Sequence, residues 1–148
     1  MYSSLITKQG LVNKCLTFVE SRFPIKFTRK TYDNQNLKLF FKVSWFTAEP
    51  LSVALVIMRK KYWHITHIVT HENFREEGYG TKLLKMITKE AKKAKIEYIS
   101  CNIRTDNFVS QAFFISNGFI EQVAPKDKSK PDFVYYRKDL IKRLDVLT

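Results

Sequence analysis

Apolar residues recur along this chain at two periods, one helical and one extended. From Lys8 to Phe23, positions Leu11, Cys15, Leu16, Val19 and Phe23 are spaced for one helix face, and the run stops before Pro24. That spacing predicts a helix with a core-facing stripe, preceded by a short strand over Tyr2–Thr7. Lys38–Phe46 and Leu51–Arg59 are β-branched and aromatic, so they read as a hairpin joined across Thr47–Pro50. Arg59-Lys60-Lys61 then turns into a third strand, Tyr62–Thr70. There Thr66, Ile68 and Thr70 share one face, while His67, Val69 and His71 share the other.

The period changes again at Tyr79. Leu83, Leu84, Ile87 and Ala91 line one side of a helix over Tyr79–Ala94, and a buried strand follows over Ile96–Ile103. A strand, a helix and a second strand in this order predict a parallel, right-handed crossover. Asp106 or Asn107 is placed to cap a further helix carrying Ala112, Phe113 and Ile115, with Gly118 at its end. Phe119–Val123 and Phe133–Arg137 read as closing strands. Pro24–Leu37, with a turn at Asp33–Asn36, and Ala124–Asp132, rich in Pro and Lys, read as loops.

Composition sharpens this picture. The 148 residues, 45% hydrophobic with 12 Phe and 7 Tyr, suit one folded domain over residues 1–148. No apolar run approaches the roughly 20 residues that span a bilayer, and the N-terminus lacks the pattern of a signal peptide. Two cysteines, Cys15 and Cys101, make no disulfide framework, so a cytoplasmic setting is expected. A net charge of +12 favours polyanionic partners. The lysines are spread along the chain, however, and Lys82, Lys85, Lys89, Lys92 and Lys93 read first as a solvated helix face and second as a polyanion contact.

Candidate chemistry centres on residues 65–84. A strand, then Arg75-Glu76-Glu77-Gly78-Tyr79-Gly80, then a helix start lets backbone approach a ligand. It also offers free N–H groups to a phosphate or pyrophosphate. Neither G-x-G-x-x-G nor G-x-x-x-x-G-K-[ST] is present. The spacing Arg75-x-x-Gly78-x-Gly80 instead resembles the acetyl-CoA loop of the GNAT superfamily of acyl-CoA-dependent N-acyltransferases. Asn107-x-x-Ser110-x-x-x-Phe114-x-x-x-Gly118-Phe119 resembles its second block. Three of the four glycines occupy these positions. The resemblance covers about Lys38 to Lys138.

The resemblance implies a mixed α/β GNAT fold. Its central sheet would have six to seven mostly antiparallel strands flanked by helices, with a parallel βαβ unit at the acetyl-CoA loop. It implies an acetyl-CoA-dependent N-acetyltransferase moving an acetyl group directly to a primary amine on a protein, an aminoacyl-RNA or a small molecule. Ile68, Val69 and Thr70 would hold the pantetheine arm like an added strand. Arg75, Glu76, Gly78, Tyr79, Gly80 and Thr81 would form the pyrophosphate loop, with the side chains of Glu76 and Glu77 turned outward. Asn107 would lie near the sulfur.

An attacking amine must be neutral, so a base is needed. His64 sits where some members of the family place a general-base glutamate and is the expected base, directly or through a water; His67 is the runner-up because a β-bulge could swap its face. No metal is expected, since three residues along a strand place His64 and His67 on opposite faces. The family's usual general-acid tyrosine corresponds to Phe114. Either the thiolate leaves unprotonated, or Tyr79, Cys101 or Ser110 substitutes, or the reaction is not ordinary amine acetylation. The alternatives are a non-catalytic GNAT-fold module binding nucleic acid or a protein, and a GNAT-like enzyme that modifies nucleobases. An acidic protein surface or RNA is the expected partner, a homodimer is open, and no membrane is involved.

Overall fold

The computed structural model describes residues 9–22, 36–44, 49–71, 77–125 and 131–141. The elements are α1 (Gln9–Glu20), β1 (Leu37–Val43), β2 (Pro50–Met58), β3 (Tyr62–Thr70), α2 (Tyr79–Lys93), β4 (Tyr98–Arg104), α3 (Phe108–Ser116), β5 (Ile120–Gln122) and β6 (Phe133–Asp139). The strands form one mixed sheet in the order β1-β2-β3-β4-β6-β5. Only β3 and β4 pair in parallel; every other neighbour is antiparallel. The expected strand at Tyr2–Thr7, the turn at Asp33–Asn36 except for Asn36, and most of the hairpin loop near Thr47 lie outside the described residues.

Alternation along the strands sends side chains into two separate cores. On one face Phe40, Ala54, Val56, Trp63, Ile65, Ile99 and Cys101 meet Leu83, Leu84, Ile87 and Ala91 of α2 and Phe114 of α3. On the other, Leu39, Phe41, Val53, Leu55 and Val69 meet Cys15, Phe18 and Val19 of α1. Fully burying each large side chain contributes about 1.5–3 kcal/mol, so both helical layers are held mainly by these stripes.

Both helices flanking β4 end in the same way. Beyond α3, Gly118 has φ 92°; its N–H donates to Ile115 O at 3.1 Å, and Phe119 N–H donates to Phe114 O at 3.0 Å. The Phe114 and Phe119 rings meet edge to face at 5.1 Å. This is a Schellman closure with its hydrophobic contact, and Asn117 rather than Gly118 is the cap residue. Beyond α2, Lys95 occupies the equivalent left-handed position with φ 62°, and Ile96 N–H donates to Ala91 O at 3.0 Å.

These closures correct several expected boundaries. Ile96 belongs to the α2 closure, so β4 begins at Tyr98. Phe119 belongs to the α3 closure, so β5 shrinks to three residues and Val123 is exposed beyond it. Ala112 and Ile115 of α3 face solvent, and Phe114 carries the packing.

A lysine in the left-handed region carries steric strain of about 1–2 kcal/mol, part of which glycine gives back as chain entropy. Lys95→Gly is therefore expected to stabilise the protein by about 0.5–1 kcal/mol and to raise Tm by a few degrees. Gly118→Ala should lower stability by about 1–2 kcal/mol. Thermal unfolding of the two variants beside wild type checks both signs.

Candidate active site

The parallel contact between β3 and β4 is short. Tyr62, Trp63, His64 and Ile65 pair with Tyr98, Ile99, Ser100 and Cys101, and there the pairing stops. β3 continues to Thr70 and β4 to Arg104, but β4 then pairs with β6 alone. A bulge marks the parting. His67 opposes Leu55 and Ile65 opposes Val56, which leaves Thr66 with no residue opposite it on β2. The Thr66 hydroxyl donates to Leu55 O at 3.1 Å and holds the bulge closed. A bulge bends its strand and adds twist, which carries the end of β3 away from β4.

Ser52, fully buried on β2, anchors the departing strand end. Its hydroxyl donates to Val69 O at 3.2 Å and lies 3.0 Å from Thr70 Oγ1. The last residues of β3 are thus tied to β2 on one side and, among the described residues, unpaired towards β4. An unpaired strand edge can hold an extended chain by main-chain hydrogen bonds.

That edge is one wall of a cavity of about 580 Å³. Ile68, Val69 and Thr70 line it, as do Gly78, Gly80 and Thr81 at the start of α2. Gly78 is the N-cap in the left-handed region at φ 78°, and no side chain caps the helix. First-turn N–H groups have no intrahelical acceptor, and they gather positive potential. Gly80 sits at the neck. A Cβ there would meet both Phe113 Cζ and Thr70 Oγ1 at 3.3 Å. Glu77 is exposed, as expected. Arg75 and Glu76 lie outside the described residues.

The opposite wall comes from α3, through Asn107, Val109, Ser110, Phe113 and Phe114. Asn107 caps the helix, its Oδ1 accepting from Ser110 N–H at 3.1 Å. Asp106, the alternative cap, instead pairs with Arg104 at 3.3 Å. Val109, Phe113 and Arg22 join the site without having been expected there. The two α3 residues carry a readable signal, because they lie four apart and flank Ser110 and Phe114. Arg22, just past α1, carries none. Its guanidinium lies 4.1 Å from the Phe18 ring centroid, and Phe18 in turn stacks on His71 at 6.1 Å.

The groups expected to donate a proton separate clearly. Ser110 is on the cavity wall. Tyr79 lies between two ammonium groups, Lys42 Nζ at 5.1 Å and Lys82 Nζ at 5.5 Å from its ring centroid. Cys101 is in the apolar core, where burial pushes its thiol well above the ordinary range.

His64 is not on the cavity wall. It lies one rung below the parting of the strands, on the α1 side of the sheet, with Nδ1 2.8 Å from the buried Ser100 Oγ. The bulge corrects the expected geometry of the histidines. Val56 pairs with Ile65 in the α2-side core and Leu55 of the α1-side core pairs with His67, so His64 and His67 share the α1 side. His67 Nδ1 lies 3.0 Å from Thr66 Oγ1, and burial lowers its pKa. Among the described residues no group of three metal-ligating side chains gathers, and no helix is long and apolar enough to cross a membrane.

This architecture is matched by known proteins. Residues 14–119 match the acetyltransferase (GNAT) family. A stretch of 69 residues is 33% identical to a tRNA(Met) cytidine acetyltransferase of Saccharolobus solfataricus; the match covers 46% of this chain and 9% of that much longer relative. The ribosomal-protein-S18-alanine N-acetyltransferase of Escherichia coli superposes with a TM-score of 0.74 at 18% identity, covering 96% of this chain and 94% of that one. An aminoglycoside 6'-N-acetyltransferase complexed with coenzyme A superposes at 0.75 with 13% identity, covering 97% and 98%. The chain belongs to the acetyltransferase (GNAT) family.

The residues present fit acetyl-CoA, the co-substrate expected from the sequence, since the open β3 edge, the glycine neck and the uncapped α2 start answer an extended arm and an anionic group. Gly80→Val should fill the neck between Phe113 and Thr70. Titration calorimetry is expected to show acetyl-CoA affinity reduced at least 100-fold, with the far-ultraviolet spectrum unchanged.

His67 gives a second expectation. Its folded pKa lies below the unfolded value near 6.5, so below that pH the unfolded chain binds the extra proton. Stability should therefore be full above pH 6.5 and fall as pH drops through it. His67→Gln should show a shallower loss between pH 7 and 5 in urea unfolding.

Proposed function

We propose that this chain, acting as one domain over residues 1–148, transfers an acetyl group from acetyl-CoA directly to a primary amine, both substrates being bound together. The observation that carries this reading is the parting of β3 and β4 above Ile65. It opens the sheet between the face covered by α2 and α3 and the face covered by α1. The thioester is held along Ile68, Val69 and Thr70, with its pyrophosphate on the N–H groups of Gly78, Tyr79, Gly80 and Thr81. Arg75 and Glu76 complete that loop, and Asn107 lies nearest the sulfur. A backbone N–H of the β3 end polarises the thioester carbonyl.

The amine reaches that carbon from the α1 side, where His64 serves as base. In the tautomer whose Nδ1–H donates to Ser100 Oγ, Nε2 is the unprotonated nitrogen. The Ser110 hydroxyl is the protein's donor towards the departing sulfur, the place that Phe114 cannot fill.

The acceptor this site suits best is an amine carried by RNA. Arg22 is the one ionisable side chain among the described cavity residues. Its positive charge disfavours an ammonium beside it. A lysine amine with pKa near 10.4 would need roughly 4–5 kcal/mol to shed its proton at pH 7. The exocyclic amine of a nucleobase is already neutral, and the α-amine of an aminoacyl ester is nearly so. The relative from Saccharolobus solfataricus, whose name makes tRNA cytidine its target, favours the nucleobase. A protein amine or a small metabolite is the other outcome.

Labelled acetyl-CoA offered to deacylated tRNA, aminoacyl-tRNA, lysine peptides and small amines tests this. Label in the RNA fraction is expected; label in the peptides alone overturns the RNA acceptor. His64→Ala should lower kcat/KM about 100-fold and remove the acidic limb of its pH profile, leaving acetyl-CoA affinity unchanged.

A further inference from the structure

We propose that the solvent face of α2 is an RNA-binding surface that tracks the phosphate backbone and delivers the strand towards the cavity. This deepens the RNA reading above and rests on it. Lys82, Lys85, Lys89, Lys92 and Lys93 are all exposed, and Leu83, Leu84, Ile87, Thr88 and Ala91 are buried on the other side of the helix. At 3.6 residues per turn the five lysines fall within about 100° of arc over about 16 Å of helix. From Tyr79 to Lys95 the sequence carries six lysines against one carboxylate, Glu90. The ion pairs among the described residues are Lys14–Glu49, Arg104–Asp106 and Arg137–Asp139, and none includes an α2 lysine.

Such a row works against its own helix, because like charges three and four apart repel. A polyanion removes that penalty. The row also continues at both ends. Lys42 joins Lys82 over the Tyr79 ring, at the edge of the proposed pyrophosphate loop. At the far end, burial and then the nearby Lys92 push the Lys138 ammonium below the usual lysine range. The row is lysine throughout, with no arginine. Ammonium groups meet phosphate oxygens as point charges, without the fixed fork of arginine. The row's course towards a cavity with a proposed RNA acceptor favours a nucleic-acid strand over an acidic polypeptide. Lys82 stands one turn from Gly78, so a strand lying on the row leads to the mouth of the cavity.

The test is fluorescence anisotropy of labelled unfractionated tRNA between 50 and 200 mM KCl. The variants are the triple change Lys85→Gln, Lys89→Gln, Lys92→Gln and the charge-retaining triple change to Arg. Removing three phosphate contacts is expected to flatten the slope of log K against log salt by about 2 and to lower affinity tenfold or more at 100 mM. The Arg variant should bind as wild type does, and acetyl-CoA titration should be the same in all three. An unchanged slope in the Gln variant overturns the surface. So does displacement by polyglutamate with the salt slope seen for tRNA, which assigns the face to an acidic polypeptide. The acceptor reading fails separately: tRNA that binds through these lysines but never takes label sinks that reading and leaves the surface standing.

Discussion

The site depends on one extra residue in β3. Thr66 has no counterpart on β2, and its insertion turns a parallel pair of four rungs into an opening between two strands. Without the bulge, the β3–β4 pairing could run on to the end of β4, where Arg104 would fall opposite Ile68. The strand edge that faces the cavity would then be consumed. The bulge also reverses which side chains face which layer, so Trp63 and Ile65 enter the α2-side core while Val69, further on, enters the α1-side core. A parallel sheet with every bond made is the lower-energy local state. The open edge persists because Ser52 pins the strand end to β2 and because both faces of the sheet are covered by helices.

The second block of the site is shaped by packing before chemistry. Phe114, which the sequence resemblance sets against the family's usual general-acid tyrosine, is almost wholly buried, edge-on to both Phe113 and Phe119. Its carbonyl also accepts the N–H of Phe119 in the closure of α3. A phenol there would need a partner for its hydroxyl among these rings, since burying an unpaired polar group costs about 1–3 kcal/mol by mutational measures. Phe114 therefore trades a proton donor for a firm wall, and the same wall holds Phe113 against the neck at Gly80.

Much of this was legible in the sequence, and the boundary of what was legible follows a physical line. β3, α2 and the glycine loop announce themselves because their signals are local: alternation, a helical stripe, and glycines at a strand-to-helix turn. The sequence makes β4 and β5 look longer than they are, because Ile96 and Phe119 resemble strand residues. Only the 6→1 hydrogen bonds of the two closures assign them to helix ends. The bulge could not be placed from residues 62–70 alone, since a register shift is a property of two strands and their shared cores. Arg22 reaches the cavity through tertiary placement of the end of α1, which no spacing in the chain encodes.

The chemistry that remains leans on placement. Among the described cavity residues there is no carboxylate, imidazole, phenol or thiol, and His64 lies a rung below the parting of the strands, on the α1 side of the sheet. A site so lined cannot spend much on moving protons. It can hold two reactants in line, which alone accounts for up to about 7–11 kcal/mol of a barrier, and it can polarise a carbonyl with backbone N–H groups already fixed in the fold. That division of labour favours a nucleophile that arrives neutral and a leaving group that departs readily as an anion. A thioester meets the second requirement, and an amine on a nucleobase or an aminoacyl ester meets the first. A lysine side chain meets it only after a deprotonation for which this wall provides little.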